Sequence, residues 1–204
     1  MVAANPHLAP PVMFGAPLGH ARVVAILLHG RTQDPATMND HVVRRLALDD
    51  IAYVAPAAAD HSWYPAKFMS PFADNEPQLS AALDQIAKLS DSSTVVIGFS
   101  QGACLACEHV YRRRARPPAA LIAFTGGLVG PPQTEWSDGA SLAGMPVVLS
   151  GSLNDPFVPE SRMRETAAVF ARLGAHVTPH FYDGANHEVS DAEITIARDL
   201  LAAL

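Results

Sequence analysis

Cysteine is nearly missing from this chain: two residues in 204, Cys104 and Cys107, which excludes a disulfide framework. Basic residues are also scarce, 14 Lys and Arg against 20 Asp and Glu, and the formal net charge is -6. A phosphate backbone repels such a surface, so nucleic acid is not an expected partner. The one basic cluster, Arg112, Arg113, Arg114 and Arg116, stands where a helix is expected to end. Cations favour that end of the helix dipole, so the cluster reads as a solvated cap. Long apolar runs are missing as well. The longest, Val23–Leu28, has strand length and falls far short of the ~20 residues that cross a bilayer, so no stable membrane insertion is expected. Residues 1–11 hold no Lys or Arg and are broken by three prolines; they read as a loose arm, not a secretory signal, and cytoplasmic residence is expected. With no G-x-G-x-x-G, no P-loop and no Cys or His pairs at zinc spacing, neither cofactor nor metal is expected.

What is present is globular: 49% apolar and 17% charged residues, enough for the core of one domain spanning 1–204. Short apolar runs at 22–29, 51–55, 94–99, 119–124, 146–150 and 176–182 read as strands. Helical patterns fall between them. One runs from the Asp34-Pro35 cap to about 49, one begins near Pro77, and others cover 101–114 and 159–173. A final helix opens at Ser190, where Glu193 completes a capping box. Strands alternating with helices imply crossover connections, hence an α/β fold with a mostly parallel central sheet and helices on both faces. The connection at 56–76 is too long to be a plain turn, and loops of that length inside compact domains are usually functional. It carries Trp63, Tyr64 and Phe68, which read either as an apolar lip over a substrate pocket or as anchors of the loop itself.

The sharpest signal is Gly98-Phe99-Ser100-Gln101-Gly102, placed directly after a strand and before a helix. A serine on such a tight turn is exposed above the sheet, and glycines two positions either side let the backbones pass. The amide of Gln101 then sits at a helix N-terminus, where it can stabilise an oxyanion. A serine hydroxyl needs a base, and the base needs an orienting carboxylate. Downstream, Asp155 follows the strand at 146–150 and His187 follows the strand at 176–182, in the order Ser, Asp, His. Asp183 is the nearest competitor as the acid, but it lies in the histidine's own loop. The second oxyanion donor is expected after the first central strand, at the amide of Arg31 beyond His29-Gly30. The Arg31 side chain is open to a second use, contact with an anionic substrate group. Cys104 and Cys107 fall inside the helix after the nucleophile and read as small core residues, not a redox pair.

These residues resemble the phospholipase/carboxylesterase family of the α/β-hydrolase superfamily, which includes acyl-protein thioesterases and small bacterial carboxylesterases. The resemblance is carried by Leu28-His29-Gly30, the Phe99-Ser100-Gln101 core, Asp155 with Val158-Pro159, and Gly184 to His187. It runs from about residue 22 to the last helix. It implies the α/β-hydrolase fold without a large cap domain, a Ser100-Asp155-His187 triad, and an oxyanion hole from the amides of Arg31 and Gln101. Ser62-Trp63-Tyr64-Pro65 and Asn75-Glu76-Pro77 look like the bacterial branch. Arg31-Thr32 stand where the thioesterase branch usually has Leu-Gly, which points away from protein depalmitoylation. The expected partner is a small-molecule acyl ester, with thioesters and lysophospholipids in the same chemical reach. Two rivals use the same residues, a hydrolase fold kept as a small-molecule binding module and an acyltransferase.

Overall fold

The computed structural model describes residues 5–204. Its frame is one seven-stranded sheet in the order β1-β3-β2-β4-β5-β6-β7. The strands are β1 (Val12–Gly15), β2 (Val23–Leu28), β3 (Ile51–Ala55), β4 (Thr94–Phe99), β5 (Ala120–Phe124), β6 (Pro146–Ser152) and β7 (His176–Tyr182). Strands β2 to β7 run parallel, and β1 alone pairs antiparallel, on the edge against β3. Because β2 to β5 are covered on both sides, their sequences are continuous apolar runs without alternation.

Two cores follow from the period of two along these strands. Ile26, Leu28, Val96, Leu121 and Leu149 face a layer built by α3 (Gln78–Leu89), α4 (Gln101–Arg112) and α5 (Glu160–Arg172). Leu27, Val95, Ile97, Ile122 and Val148 face the other way, onto α6 (Asp191–Ala203) and the helical stretch after β2. That stretch comprises α1 (Pro35–Met38), a π-helical turn (Asn39–Val43) and α2 (Arg44–Leu46). Asp34 caps it by accepting from the Thr37 amide, with Pro35 at the first position. The stretch stops at Leu46, short of 49, because Ala47 turns into the left-handed region. At the other end of the chain, Ser190 and Glu193 form the expected capping box.

The N-terminal part departs from the reading of the sequence. Strand β1 was not legible: four residues after Pro10-Pro11, largely exposed, carry no inward-facing period. The arm at 1–11 is not loose over its described part. Asn5 donates to the Ala81 carbonyl, and buried His7 accepts from the Ala59 amide. Residues 1–4 of that arm lie outside the described residues. The 56–76 connection contains 3-10 turns at Ala59–His61 and Phe72–Asn75. The Arg cluster does close α4: Arg114 donates to the Tyr111 carbonyl, and Arg112 pairs with Glu108. Among the described residues no helix is long and apolar enough to cross a membrane.

Candidate active site

Ser100 stands between β4 and α4 with φ 54° and ψ -117°, a region that only a tightly constrained turn maintains. The constraint is steric on both sides. A β-carbon at Gly98 would run into the first turn of α4, and one at Gly102 into the carbonyls of Leu28 and His29. The Ser100 amide donates to the Phe124 carbonyl at 3.0 Å, which leaves the side chain free above the carboxyl ends of the strands.

His187 and Asp155 reach the serine from the far side of the sheet. Nε2 of His187 lies 2.8 Å from Ser100 Oγ, and its Nδ1 lies 2.7 Å from Asp155 Oδ2. A carboxylate only accepts, so Nδ1 carries the proton and Nε2 is left to accept from the serine hydroxyl. The Asp155 side chain is fully buried and that of His187 is 19% exposed. Asp155 is fixed by its own turn: Oδ1 accepts from the amides of Phe157 and Val158, each at 2.8 Å. Asp183, the competing acid, does not meet the imidazole. The two loops are tied to each other as well. Ser152 Oγ donates to the Asn186 carbonyl, and the Asn154 amide to the Gly184 carbonyl.

On the opposite side of β4, the peptide between Gly30 and Arg31 is held by His29. The Ala58 amide must donate to Nε2 of His29, 3.1 Å away, so Nδ1–H donates to the Gly30 carbonyl at 2.8 Å. Burial lowers the pKa of His29, which favours the neutral ring this pattern requires. In a trans peptide C=O and N–H point opposite ways, so holding the Gly30 oxygen also aims the Arg31 amide. Among the described residues neither the Arg31 nor the Gln101 amide has a protein acceptor.

The guanidinium of Arg31 is already engaged. It donates to the carbonyls of Tyr64, Pro65 and Ala66 at 2.7 to 2.9 Å, so it ties this loop down while it also borders the cavity. The Gln101 side chain grips the same loop, accepting from the Trp63 amide and donating to the Tyr64 carbonyl. Buried Asn75 holds it further along, accepting from the Ala66 amide and donating to the Lys67 carbonyl. This loop roofs a cavity of about 830 Å³ that opens at Ser100 and His187. Tyr64 and Phe68 line it, with Met69, Cys104 and Phe157. Trp63 does not. It is wholly buried under the loop, stacked on His29 with ring centroids 4.9 Å apart, and its indole N–H donates to the His29 carbonyl. Trp63 thus anchors the loop, whereas Tyr64 and Phe68 line the cavity.

Two further groups support the site. Glu193, buried in the capping box, also accepts from Ser150 Oγ and the Tyr182 hydroxyl, joining the strands that lead to Asp155 and His187. Buried Arg162 donates to the carbonyls of Leu128, Gly130 and Pro131, and the Gly130 amide in turn donates to the Phe68 carbonyl. The capping-box spacing flagged Glu193 only as a helix start, and nothing local to Arg162 marks its role. Both cysteines are free and buried, and burial pushes the Cys104 thiol up to about 12. Among the described residues no group of three or more His, Cys, Asp or Glu side chains is arranged to hold a metal ion.

A family model described as Phospholipase/Carboxylesterase matches residues 15–204. The solved structure of a phospholipase/carboxylesterase from Dyadobacter fermentans is 31% identical, covering 96% of this chain and 97% of its own, with a TM-score of 0.85. A Bacillus cereus carboxylesterase shares the fold at 17% identity and a TM-score of 0.75, covering 95% of this chain and 93% of its own. So does acyl-protein thioesterase 2 of Zea mays, at 16% identity and a TM-score of 0.74, covering 95% and 97%. No curated protein sequence matches significantly.

Proposed function

This chain belongs to the phospholipase/carboxylesterase family of α/β hydrolases, and from that premise we propose a serine carboxylesterase working through Ser100, His187 and Asp155. The observation that carries the reading is the unbroken hydrogen-bond chain from Ser100 Oγ through both imidazole nitrogens to a buried carboxylate. His187 Nε2 takes the hydroxyl proton as Oγ attacks the ester carbonyl. Asp155 keeps the tautomer and stabilises the imidazolium. The amides of Arg31 and Gln101 receive the oxyanion, and the His29 contact keeps the Arg31 amide aimed before substrate arrives. Collapse of the tetrahedral intermediate expels the alcohol, which takes its proton from Nε2. Water then repeats the sequence on the acyl-enzyme.

The substrate in this reading is a small acyl ester lodged in the cavity beneath Tyr64 and Phe68. Thioesters and lysophospholipids call for no different chemistry. Cytoplasmic residence is part of the same reading, supported by the two free, buried thiols. The test is hydrolysis of p-nitrophenyl esters from two to sixteen acyl carbons by wild type and Ser100→Ala. The variant should lose about 10⁴-fold or more in kcat. Equal turnover by both proteins would remove Ser100 from the chemistry.

A further inference from the structure

One apolar side chain at the site is left in water. Phe157 is 66% exposed, the most exposed of the large apolar residues described, although Pro156 and Val158 beside it belong to the same cavity wall. Its ring stands edge-on to the His187 imidazole, centroids 4.8 Å apart at 68°. Phe99 packs on the same imidazole at 5.1 Å, but it is buried and belongs to the core. The position of Phe157 is set by the triad's own acid, because its amide donates to Asp155 Oδ1. That hydrogen bond fixes its backbone, and the ring rests on the imidazole whose Nε2 meets Ser100 Oγ.

The sheet order says which half of the ester comes to that Nε2. Strand β2, which leads to the Arg31 amide, flanks β4 on one side, and β6 and β7, which lead to Asp155 and His187, lie on the other. In the tetrahedral intermediate the oxyanion turns to the Arg31 and Gln101 amides. The leaving oxygen must lie against His187 Nε2 to receive its proton. The alcohol half of the ester is thus directed toward β6 and β7, alongside Phe157. Resting on the serine esterase reading above, the geometry points to Phe157 as the specificity residue for the alcohol. It selects esters of bulky, flat, apolar alcohols, aryl-methyl alcohols above all, over esters of small alcohols. Such a group covers the exposed ring when it binds and stacks against it.

The experiment separates the two halves of the ester. Benzyl butyrate and ethyl butyrate give the same butyryl-enzyme and differ only in the alcohol, whereas ethyl phenylacetate moves the ring to the acyl half. Wild type should prefer benzyl over ethyl butyrate in kcat/KM. Phe157→Ala should lower kcat/KM for benzyl butyrate roughly 10- to 100-fold more than for ethyl butyrate or ethyl phenylacetate. Phe157→Trp should restore the preference. A loss shared equally by all three esters would make Phe157 a brace for His187 and overturn the proposal. A loss confined to ethyl phenylacetate would place Phe157 on the acyl side and overturn it equally. Absence of wild-type turnover on every ester, or turnover that survives Ser100→Ala, would instead sink the serine esterase reading itself.

Discussion

Asp155→Asn tests the proposed triad without dismantling it, because the structure dictates how the amide must sit. Two backbone N–H groups, from Phe157 and Val158, point at Oδ1. An NH2 group there would oppose two donors, so the asparagine oxygen takes that seat and its NH2 faces His187. Nδ1 of His187 now meets a donor 2.7 Å away in place of an acceptor. The ring must shed that proton and carry it on Nε2, where it points at Ser100 Oγ and leaves no lone pair to accept the hydroxyl proton. A tautomer inverted in this way costs about 10⁴ in kcat, or about 5 kcal/mol of transition-state stabilisation. The turn itself keeps both backbone hydrogen bonds, so unfolding free energy should stay within about 1 kcal/mol of wild type. Asp155→Ala removes the acceptor as well and should add about 1–3 kcal/mol of destabilisation to the lost activity. The assay is initial rates on p-nitrophenyl butyrate, beside denaturant unfolding of all three proteins. If Asp155→Asn kept more than a tenth of wild-type kcat, the argument that Oδ2 sets the histidine tautomer would be refuted.

Two further outcomes follow from groups farther out. Burial holds the pKa of His109 down to about 4, while an unfolded histidine titrates near 6.5, so between those values the unfolded chain binds more protons and stability falls as pH drops. The fall from pH 7 to 4.5 should be smaller in His109→Leu by on the order of 2 kcal/mol, read by urea unfolding at each pH; equal falls in both proteins would refute the assignment. Arg31→Met leaves the amide in place but removes three hydrogen bonds to the loop. KM should rise several-fold, kcat should fall by about threefold or more, and unfolding free energy should drop by about 1–2 kcal/mol. A rise in KM limited to anionic esters would show instead that the guanidinium binds substrate.

What the sequence discloses depends on how local the cause is. Strands β3, β4 and β7 are readable to the residue, because burial on both faces or a flanking turn signal marks their ends. The serine turn is readable because its steric demand for glycine at 98 and 102 is written within five residues. Strand β1 is not, since its reason for being a strand is the edge of β3, some forty positions away. The same holds for His7 and Arg162. Each is buried because it satisfies backbone groups of a distant segment, and a polar residue in that role looks like any loop or helix-surface residue in sequence. For Trp63 the sequence leaves lip and anchor equally open, for a related reason. Its ring is large and apolar, which suits a pocket wall, but the acceptor for its indole N–H is the His29 carbonyl beneath the loop.

The two residues proposed to supply oxyanion amides turn their side chains to the same task. The donor in each case is backbone, so the chemistry leaves the side chain unassigned, and a G-x-S-x-G motif tolerates any residue in Gln101's place. Here both side chains grip residues 63–66: Gln101 at the Trp63 amide and the Tyr64 carbonyl, Arg31 at three successive carbonyls. His29 works on the same pair from below, holding the Gly30 carbonyl with one ring nitrogen and the Ala58 amide with the other. The cavity wall at Tyr64 and the oxyanion donors are therefore one connected body, not a lid hinged over a separate site. A displacement of the wall is passed to amides whose aim must hold to a fraction of an ångström for full effect. In such an arrangement, widening the pocket by substitutions at 63–66 costs turnover as well as binding, whereas the wall at 156–159 hangs on Asp155 and leaves those amides untouched. On the proposal for Phe157, alcohol specificity is then open to side-chain change there with less cost to the oxyanion amides than any change at 63–66.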